Sequence, residues 1–354
     1  MKQVPHPRIG IRDVARRAGV SPATASHVLS ERADVPIRDS TRRRVREAAV
    51  ALGYRPNAIA RSLTEGRTRT FGLILMTGSS SFAADLVCGI QEACRERRYH
   101  TLLAWTSGDP VVEAELGELL LEHQVDGLIY HAPPYAIDPD THWLPRAVRE
   151  GTPCVVVQER AFPAPVDYVI TEDCGGSQLA TQHLTELGHR RIGFVTVAEQ
   201  RSRVWDRVEG YRRALLDAGI APDPELVVPE FAARPGEACG IEALLDRAIP
   251  PTAVLAANDS VAARAWRTAG RRGVRVPQDL ALVGFGDTDL AQVLELTTVR
   301  QPARDLGREA AQLLFRRLQE PAAPPTSLVL PTELIVRESC GPRRVQSGVP
   351  PDST

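Results

Sequence analysis

The chain has 354 residues, 43% hydrophobic and 25% charged, which is enough for two or three globular domains with ordinary cores. Its net charge of −1 hides an uneven distribution: residues 1–70 carry fifteen Lys and Arg against six Asp and Glu, and the remainder carries twenty-eight against thirty-eight. Lys2 is the single lysine, so P-loop and Schiff-base lysine chemistry is excluded from the body, and the six cysteines (Cys88, Cys94, Cys154, Cys174, Cys239, Cys340) form no C-x-x-C pair.

In chain order, Gly10 to Leu29 comes first. Ile11, Val14, Ala15 and Ala18 recur at helical spacing, and Gly19 supplies the permissive backbone of a tight turn. Ser21 followed by Pro22 is a helix start, a capping oxygen with proline where its missing N–H costs nothing. The second helix, Pro22 to Leu29, directs Ala25, Val28 and Leu29 inward and Pro22, Ala23 and His27 outward. The pattern predicts a helix-turn-helix whose second helix enters the DNA major groove. An ordinary helical hairpin would share the periodicity, but the basic excess coincides with this segment. Ser40 to Leu52 reads as a third helix with an arginine cluster at its start. Tyr54-Arg55-Pro56-Asn57 is an extended break, and Asn57 caps a short Ala58–Leu63 helix that reads as a hinge before the polar linker Thr64 to Thr70.

From Phe71 the pattern changes to short apolar strands alternating with amphipathic helices. Strands are expected at Phe71–Met76, Thr101–Trp105, Gly127–His131, Cys154–Gln158, Ile192–Val197, Ala253–Ala257 and Leu280–Phe285. Helices are expected at Ala84–Arg97, Val112–His123, Gly176–Leu187, Asp206–Ala218 and Ser260–Arg271. This alternation implies parallel sheets covered on both faces, repeated in two halves (71–168 and 169–298), with a ligand between the lobes at the carboxyl ends of the strands. The last fourteen residues are polar and proline-rich and read as disordered. No run reaches the ~18 apolar residues of a membrane span, and the start of the chain carries no apolar signal segment, so the expected location is cytoplasmic.

Seven motifs in order (DVARRAGVSPATASHVL, LGYRPNAIARSL, QVDGLI, HLTELGHRRIGF, PTAVLAANDSVAARA, GVRVPQDLALVGF and LTTVRQP) resemble those of LacI/GalR-type bacterial transcription regulators, from about Gly10 to Cys340. The resemblance implies an α/β fold: an N-terminal helix-turn-helix head (9–56), a hinge helix and linker (57–70), and a two-lobed periplasmic-binding-protein-like clamshell of doubly wound parallel sheets (71–340). Three strands would cross between the lobes, giving lobe one as 71–168 plus 299–325 and lobe two as 169–298 plus 326–340, with 341–354 as a disordered tail. The implied partners are double-stranded operator DNA, a small-molecule effector such as a sugar or related metabolite, and a second copy of the chain in a homodimer. No cofactor or metal is implied, and the tail lacks the heptads of a tetramer.

By the same resemblance the base readers are Pro22, Ala23 and His27. Pro22 and Ala23 can only make apolar contact, for example with a thymine methyl, and His27 is the one polar reader; an exposed histidine without a partner is the plainer alternative. Ser21, Thr24 and Ser26 match phosphate contacts, which set register without reading sequence. Asn57, Ala60 and Leu63 match the hinge contacts, Leu63 being the wedge that enters the minor groove, or else a leucine packing a short helix. The effector positions are Phe82, Glu159, Arg160, Arg201, Arg207, Phe231, Asn258 and Asp287. Arg207 lies in the family's R-x-x-G-[FY] stretch; Phe82 and Phe231 suit ring stacking and plain core equally; Asn258 also reads as a helix cap.

Three departures stand out. The family's G-[FY]-D-[DN] motif is Gly284-Phe285-Gly286-Asp287, which lacks the first acid; Asp287, one residue along the strand end, either replaces it or points elsewhere. The usual D-N before the second-lobe helix is Glu172-Asp173, and the stretch before Leu296 is two residues short. Two other functional classes fit the sequence less well. A plain solute-binding clamshell would not need residues 10–63, and no G-x-S-x-G, P-loop, G-x-G-x-x-G, H-E-x-x-H or EF-hand pattern suggests an enzyme. The expected function is therefore that of a DNA-binding regulator, a repressor, switched by an effector.

Overall fold

The computed structural model describes residues 9–30, 35–54, 62, 66–76, 80–131, 142–159, 162–197, 202–230 and 240–341. The chain divides into two compact units between Thr68 and Arg69. The expected hinge helix, apart from Ser62, and the tail from 342 lie outside the described residues.

Among the described residues the first unit contains the helices α1 (Ile11–Ala18), α2 (Pro22–Leu29) and α3 (Asp39–Leu52). Gly19 ends α1 at φ 64°, a left-handed backbone that disfavours any side chain with a Cβ. Ser21 Oγ then accepts from the Thr24 N–H at 3.1 Å and opens α2. Val14, Ala15 and Ala18 of α1 pack with Ala25 and Val28 of α2 and Val45, Ala48 and Ala49 of α3. The Arg42 guanidinium donates to the carbonyls of Val35 (3.1 Å) and Ile37 (3.3 Å), tying α3 to the segment that leads into it.

The second unit holds two six-stranded sheets. The first contains β1 (Thr70–Leu75), β2 (His100–Trp105), β3 (Gly127–His131), β4 (Cys154–Val157), β5 (Asp167–Thr171) and, from far along the chain, β11 (Ser327–Leu330). Its order is β11-β5-β4-β3-β1-β2, with every pair parallel. The second contains β6 (Ile192–Val197), β7 (Val227–Glu230), β8 (Ala253–Ala256), β9 (Ala281–Gly286), β10 (Thr297–Arg300) and β12 (Glu333–Ile335) in the order β12-β10-β9-β8-β6-β7. Among the described residues only the β10–β12 pair is antiparallel.

Central strands such as β4 and β8 are buried at every residue, which is why they read as unbroken apolar runs. One face of the first sheet packs Phe71, Leu73, Val155 and Val157 against helices Ser81–Glu96 and Ala303–Gln319; the other packs Ile74, Tyr130 and Val156 against Leu120, Trp143 and Leu144. In the second sheet Phe194, Leu255 and Val283 meet helices Asp173–Glu186 and Ser202–Asp217, and Val195, Val254 and Leu282 meet helix Asp259–Arg271.

The chain passes between the lobes three times: between Thr171 and Asp173, between Arg300 and Ala303, and between Leu330 and Glu333. The expected divisions at 168, 298 and 325 are corrected accordingly. β5 stays in the first sheet through Thr171, β10 stays in the second through Arg300, and β11 pairs with β5 from Ser327 opposite Tyr168 to Leu330 opposite Thr171. Strand registry across long chain separations decides these points, and local periodicity carries no record of it. The periodicity also missed β5, β7, β10, β11 and β12, short segments of which β7 contains Pro229.

Candidate functional site

Two sets of polar residues are held out by this architecture. In the head, burying Ala25 and Val28 leaves Ser21, Pro22, Ala23 and Ser26 exposed, with Thr24 and His27 half-exposed on the same helix. Ser21 and Thr24 share a hydroxyl contact of 2.9 Å at the start of α2. A helix N-terminus carrying hydroxyls suits phosphate oxygens, and the same face presents two apolar groups and an imidazole. Asn57, Ala60 and Leu63 lie outside the described residues.

The second set lies at the carboxyl ends of the strands in the two lobes. Glu159 follows β4 and is buried, directly after Gln158, which adopts a left-handed φ of 64°. Arg207, on helix Ser202–Asp217, is 8% exposed. Its Nε and Nη2 donate to Asp173 Oδ2 at 2.8 and 2.7 Å, its Nη1 donates to the Ala257 carbonyl, and its guanidinium carbon lies 3.9 Å from the centre of the Phe285 ring. Removing either member of this buried pair would strand a charge at a cost of about 3–5 kcal/mol. The arginine expected to hold an effector is thus already oriented by Asp173 and stacked on Phe285.

Asn258 closes β8 and caps the next helix, its Oδ1 accepting from the Val261 N–H at 2.9 Å. Phe82 packs against the first-lobe core, with its ring centre 6.1 Å from that of His131 at the end of β3. Arg160, Arg201 and Phe231 lie outside the described residues.

Asp287, a candidate replacement for the acid missing at Gly286, is held by two arginines. Its Oδ2 accepts from Arg300 Nε at 2.7 Å and its Oδ1 from Arg337 Nη2 at 2.6 Å, so both oxygens are turned into the second lobe. Gly286 itself sits at φ 134°, and a Cβ there would lie 3.1 Å from Asp259 Oδ2. Asp259, 1% exposed, accepts from the Thr288 N–H (2.8 Å), the Thr288 hydroxyl (2.9 Å) and the Thr298 hydroxyl (2.6 Å). Burial pushes its carboxyl above the usual aspartate range despite these donors. Sequence reasoning assigned no role to buried Thr171 and Gln301 at the crossings, or to Gln158, which is buried against Thr171. Gln301 lay within a motif already singled out, and only its position between strand and helix could have marked it.

A head with an exposed recognition helix, followed by two parallel α/β lobes with polar groups at their strand ends, defines a DNA-binding regulator with a clamshell sensor. The comparisons agree. Residues 10–57 match the family described as bacterial regulatory proteins, lacI family, and residues 181–340 match the periplasmic binding protein-like domain. The chain is 32% identical to the ribose operon repressor of Haemophilus influenzae over 331 residues, covering 93% of this chain and 98% of that protein. The structure of a transcriptional regulator CelR–cellobiose complex superposes with a TM-score of 0.69 at 34% identity, covering 94% of this chain and all of that one. The lac repressor dimer bound to operator and an anti-inducer shares the fold, with a TM-score of 0.80 at 24% identity, over 95% of this chain and all of that one. The chain belongs to the lacI family of bacterial regulatory proteins. It is a DNA-binding transcription regulator and not an enzyme.

Proposed function

We propose that this protein is a cytoplasmic repressor that binds a near-palindromic operator as a homodimer, one head per half-site, and is switched by a carbohydrate in the cleft between its lobes. The observation that carries the reading is the exposed Pro22–His27 face of α2 on an independently cored head. Pro22 and Ala23 contact thymine methyls, His27 reads a base edge, and Ser21, Thr24 and Ser26 hold phosphates. Asn57, Ala60 and Leu63 form the hinge, a helix too short to persist alone, so that it forms when two copies meet on DNA. Leu63 wedges into the central step and bends the duplex.

The effector is met by Arg207, Asn258 and Glu159, with Arg160, Arg201, Phe82 and Phe231 completing the walls. A carbohydrate is supported by the ribose repressor among the relatives and the cellobiose complex among the structures. Asp287 is left out of this set because two arginines hold it. The functional division follows: head through 56, hinge and linker 57–70, sensor 71–340.

The test is selection of genomic fragments by the purified protein at one stated salt concentration. A near-palindrome is expected, with binding lost in Leu63→Ala. Recovery of no preferred sequence, with and without added sugars, sinks the operator reading.

A further inference from the structure

The three chain crossings meet at one buried polar junction. The Thr171 hydroxyl donates to Asp173 Oδ1 at 2.5 Å and accepts from the side-chain amides of Gln158 at 3.0 Å and Gln301 at 2.8 Å. Gln301 gives its second amide hydrogen to Asp173 Oδ1 at 3.1 Å. The other carboxylate oxygen, Oδ2, takes Nε and Nη2 of Arg207. Gln158, Thr171, Asp173, Arg207 and Gln301 are each more than nine-tenths buried. Beside them the Glu172 N–H donates to the Leu330 carbonyl at 2.8 Å, and the Thr332 hydroxyl donates to the Glu172 carbonyl at 3.0 Å, fastening the third crossing to the same turn.

The single Thr171 hydroxyl hydrogen has two acceptors in reach, Asp173 Oδ1 at 2.5 Å and Gln158 Oε1 at 3.2 Å, and the nearer, charged carboxylate is the stronger one. Arg207 commits three N–H bonds, two to Asp173 and one to the Ala257 carbonyl, which leaves two of the guanidinium's five for a ligand. Arg207 is anchored in the second lobe, Thr171 ends a first-lobe strand, and Gln301 lies on the return crossing. Asp173 is the one group that touches all three.

We propose that Asp173 is a positioning residue that transmits occupancy of Arg207 to the crossings between the lobes, with Gln301 as the receiving group. The proposal rests on the reading of Arg207 as an effector contact. A ligand that draws the guanidinium toward the cleft shifts Asp173, and the carboxylate cannot shift without altering its bonds to both Thr171 and Gln301. Any rotation of one lobe on the other has to be taken up in the crossings, where Thr171, Asp173 and Gln301 lie. The two lobe arrangements therefore differ in how well this cluster is satisfied, which is the differential free energy a ligand needs to bias them.

The test uses the full chain, the DNA fragment recovered by selection, and cellobiose and D-ribose as probes. Operator affinity is measured with and without each sugar, and sugar binding is followed by calorimetry. Gln301→Leu keeps the volume and removes the donor. It is expected to bind sugar while the sugar's effect on operator affinity falls by about fivefold or more, within the usual range of allosteric coupling. A Gln301→Leu protein that binds sugar and retains the full effect overturns the proposal.

If neither sugar changes operator affinity in the unsubstituted protein, the choice of effector fails, and amide hydrogen exchange decides the proposal. Gln301→Leu should then speed exchange in peptides covering 205–210, and Arg207→Lys in peptides covering 299–302; because Arg207 also stacks on Phe285, which pairs with Val299, Phe285→Leu is the control and should leave Gln301 exchange unchanged if Asp173 is the link. Changes confined to each substituted residue's own contacts overturn it.

Discussion

Along the exposed face of α2, Pro22 and Ala23 offer no hydrogen bond to a base edge, so polar discrimination falls on His27. His27→Ala is expected to relax preference at one position of each half-site by about 1–3 kcal/mol while leaving the remaining positions unchanged, as read by binding to single-base operator variants. A uniform loss across all variants would instead mark His27 as a phosphate contact. At the other end of the chain, Gly286 shows how one residue's backbone excludes a plausible repair. Restoring the family acid by Gly286→Asp forces φ 134° on a side-chain-bearing residue and sets a second carboxyl against buried Asp259. Denaturant unfolding should report a loss of about 1–3 kcal/mol, and calorimetry no gain in sugar binding.

Helix packing in the first lobe depends on two glycines. A Cβ at Gly89 would lie 1.9 Å from the Arg304 carbonyl oxygen, and one at Gly307 would lie 2.1 Å from that of Leu86, so helices Ser81–Glu96 and Ala303–Gln319 approach backbone to backbone. Gly89→Ala should cost about 1–3 kcal/mol by overpacking, despite alanine's better helix propensity. An unchanged unfolding midpoint would show that the helices separate freely. The same helices are joined by Glu92, whose carboxylate takes Arg304 and lies 2.9 Å from Arg308 Nη2. The Arg304 hydrogen bond holds Glu92 below the usual glutamate range. Its contribution is therefore complete above the unfolded-chain value and lost as pH falls through the lowered folded value. Melting temperatures of Glu92→Gln and the unsubstituted protein should differ near neutrality and converge in acid; a gap that persists at low pH would contradict this assignment.

At the scale of the whole molecule, a basic first segment joined to an acidic body keeps non-specific attraction confined to one end. Binding to random DNA should fall steeply between about 50 and 200 mM salt, each neutralised phosphate adding about −0.9 to the logarithmic slope. Residues 1–70 should account for the slope; a body-only fragment with the same slope would refute that. Reciprocity also holds at this scale: a sugar that weakens operator binding must itself bind more weakly to the DNA complex, by the same factor.

The chain by itself determined the helix-turn-helix, because turn, cap and apolar spacing at Gly19, Ser21 and Ala25–Val28 are local properties. It also determined the alternating α/β lobes, because central strands such as β4 and β8, buried on both faces, must be continuously apolar. Effector candidates were legible only as positions. That Arg207 is oriented by Asp173, that Asp287 is turned away by two arginines, and that Gln301 joins the same junction were decided by the tertiary structure. So were the crossing points, set by the pairing of β11 with β5 across some 160 residues of chain. The physical reason is common to all of them. Partners of a buried charge, and strands that share a register, are chosen by proximity in space, and spacing along the chain records proximity only within a single element.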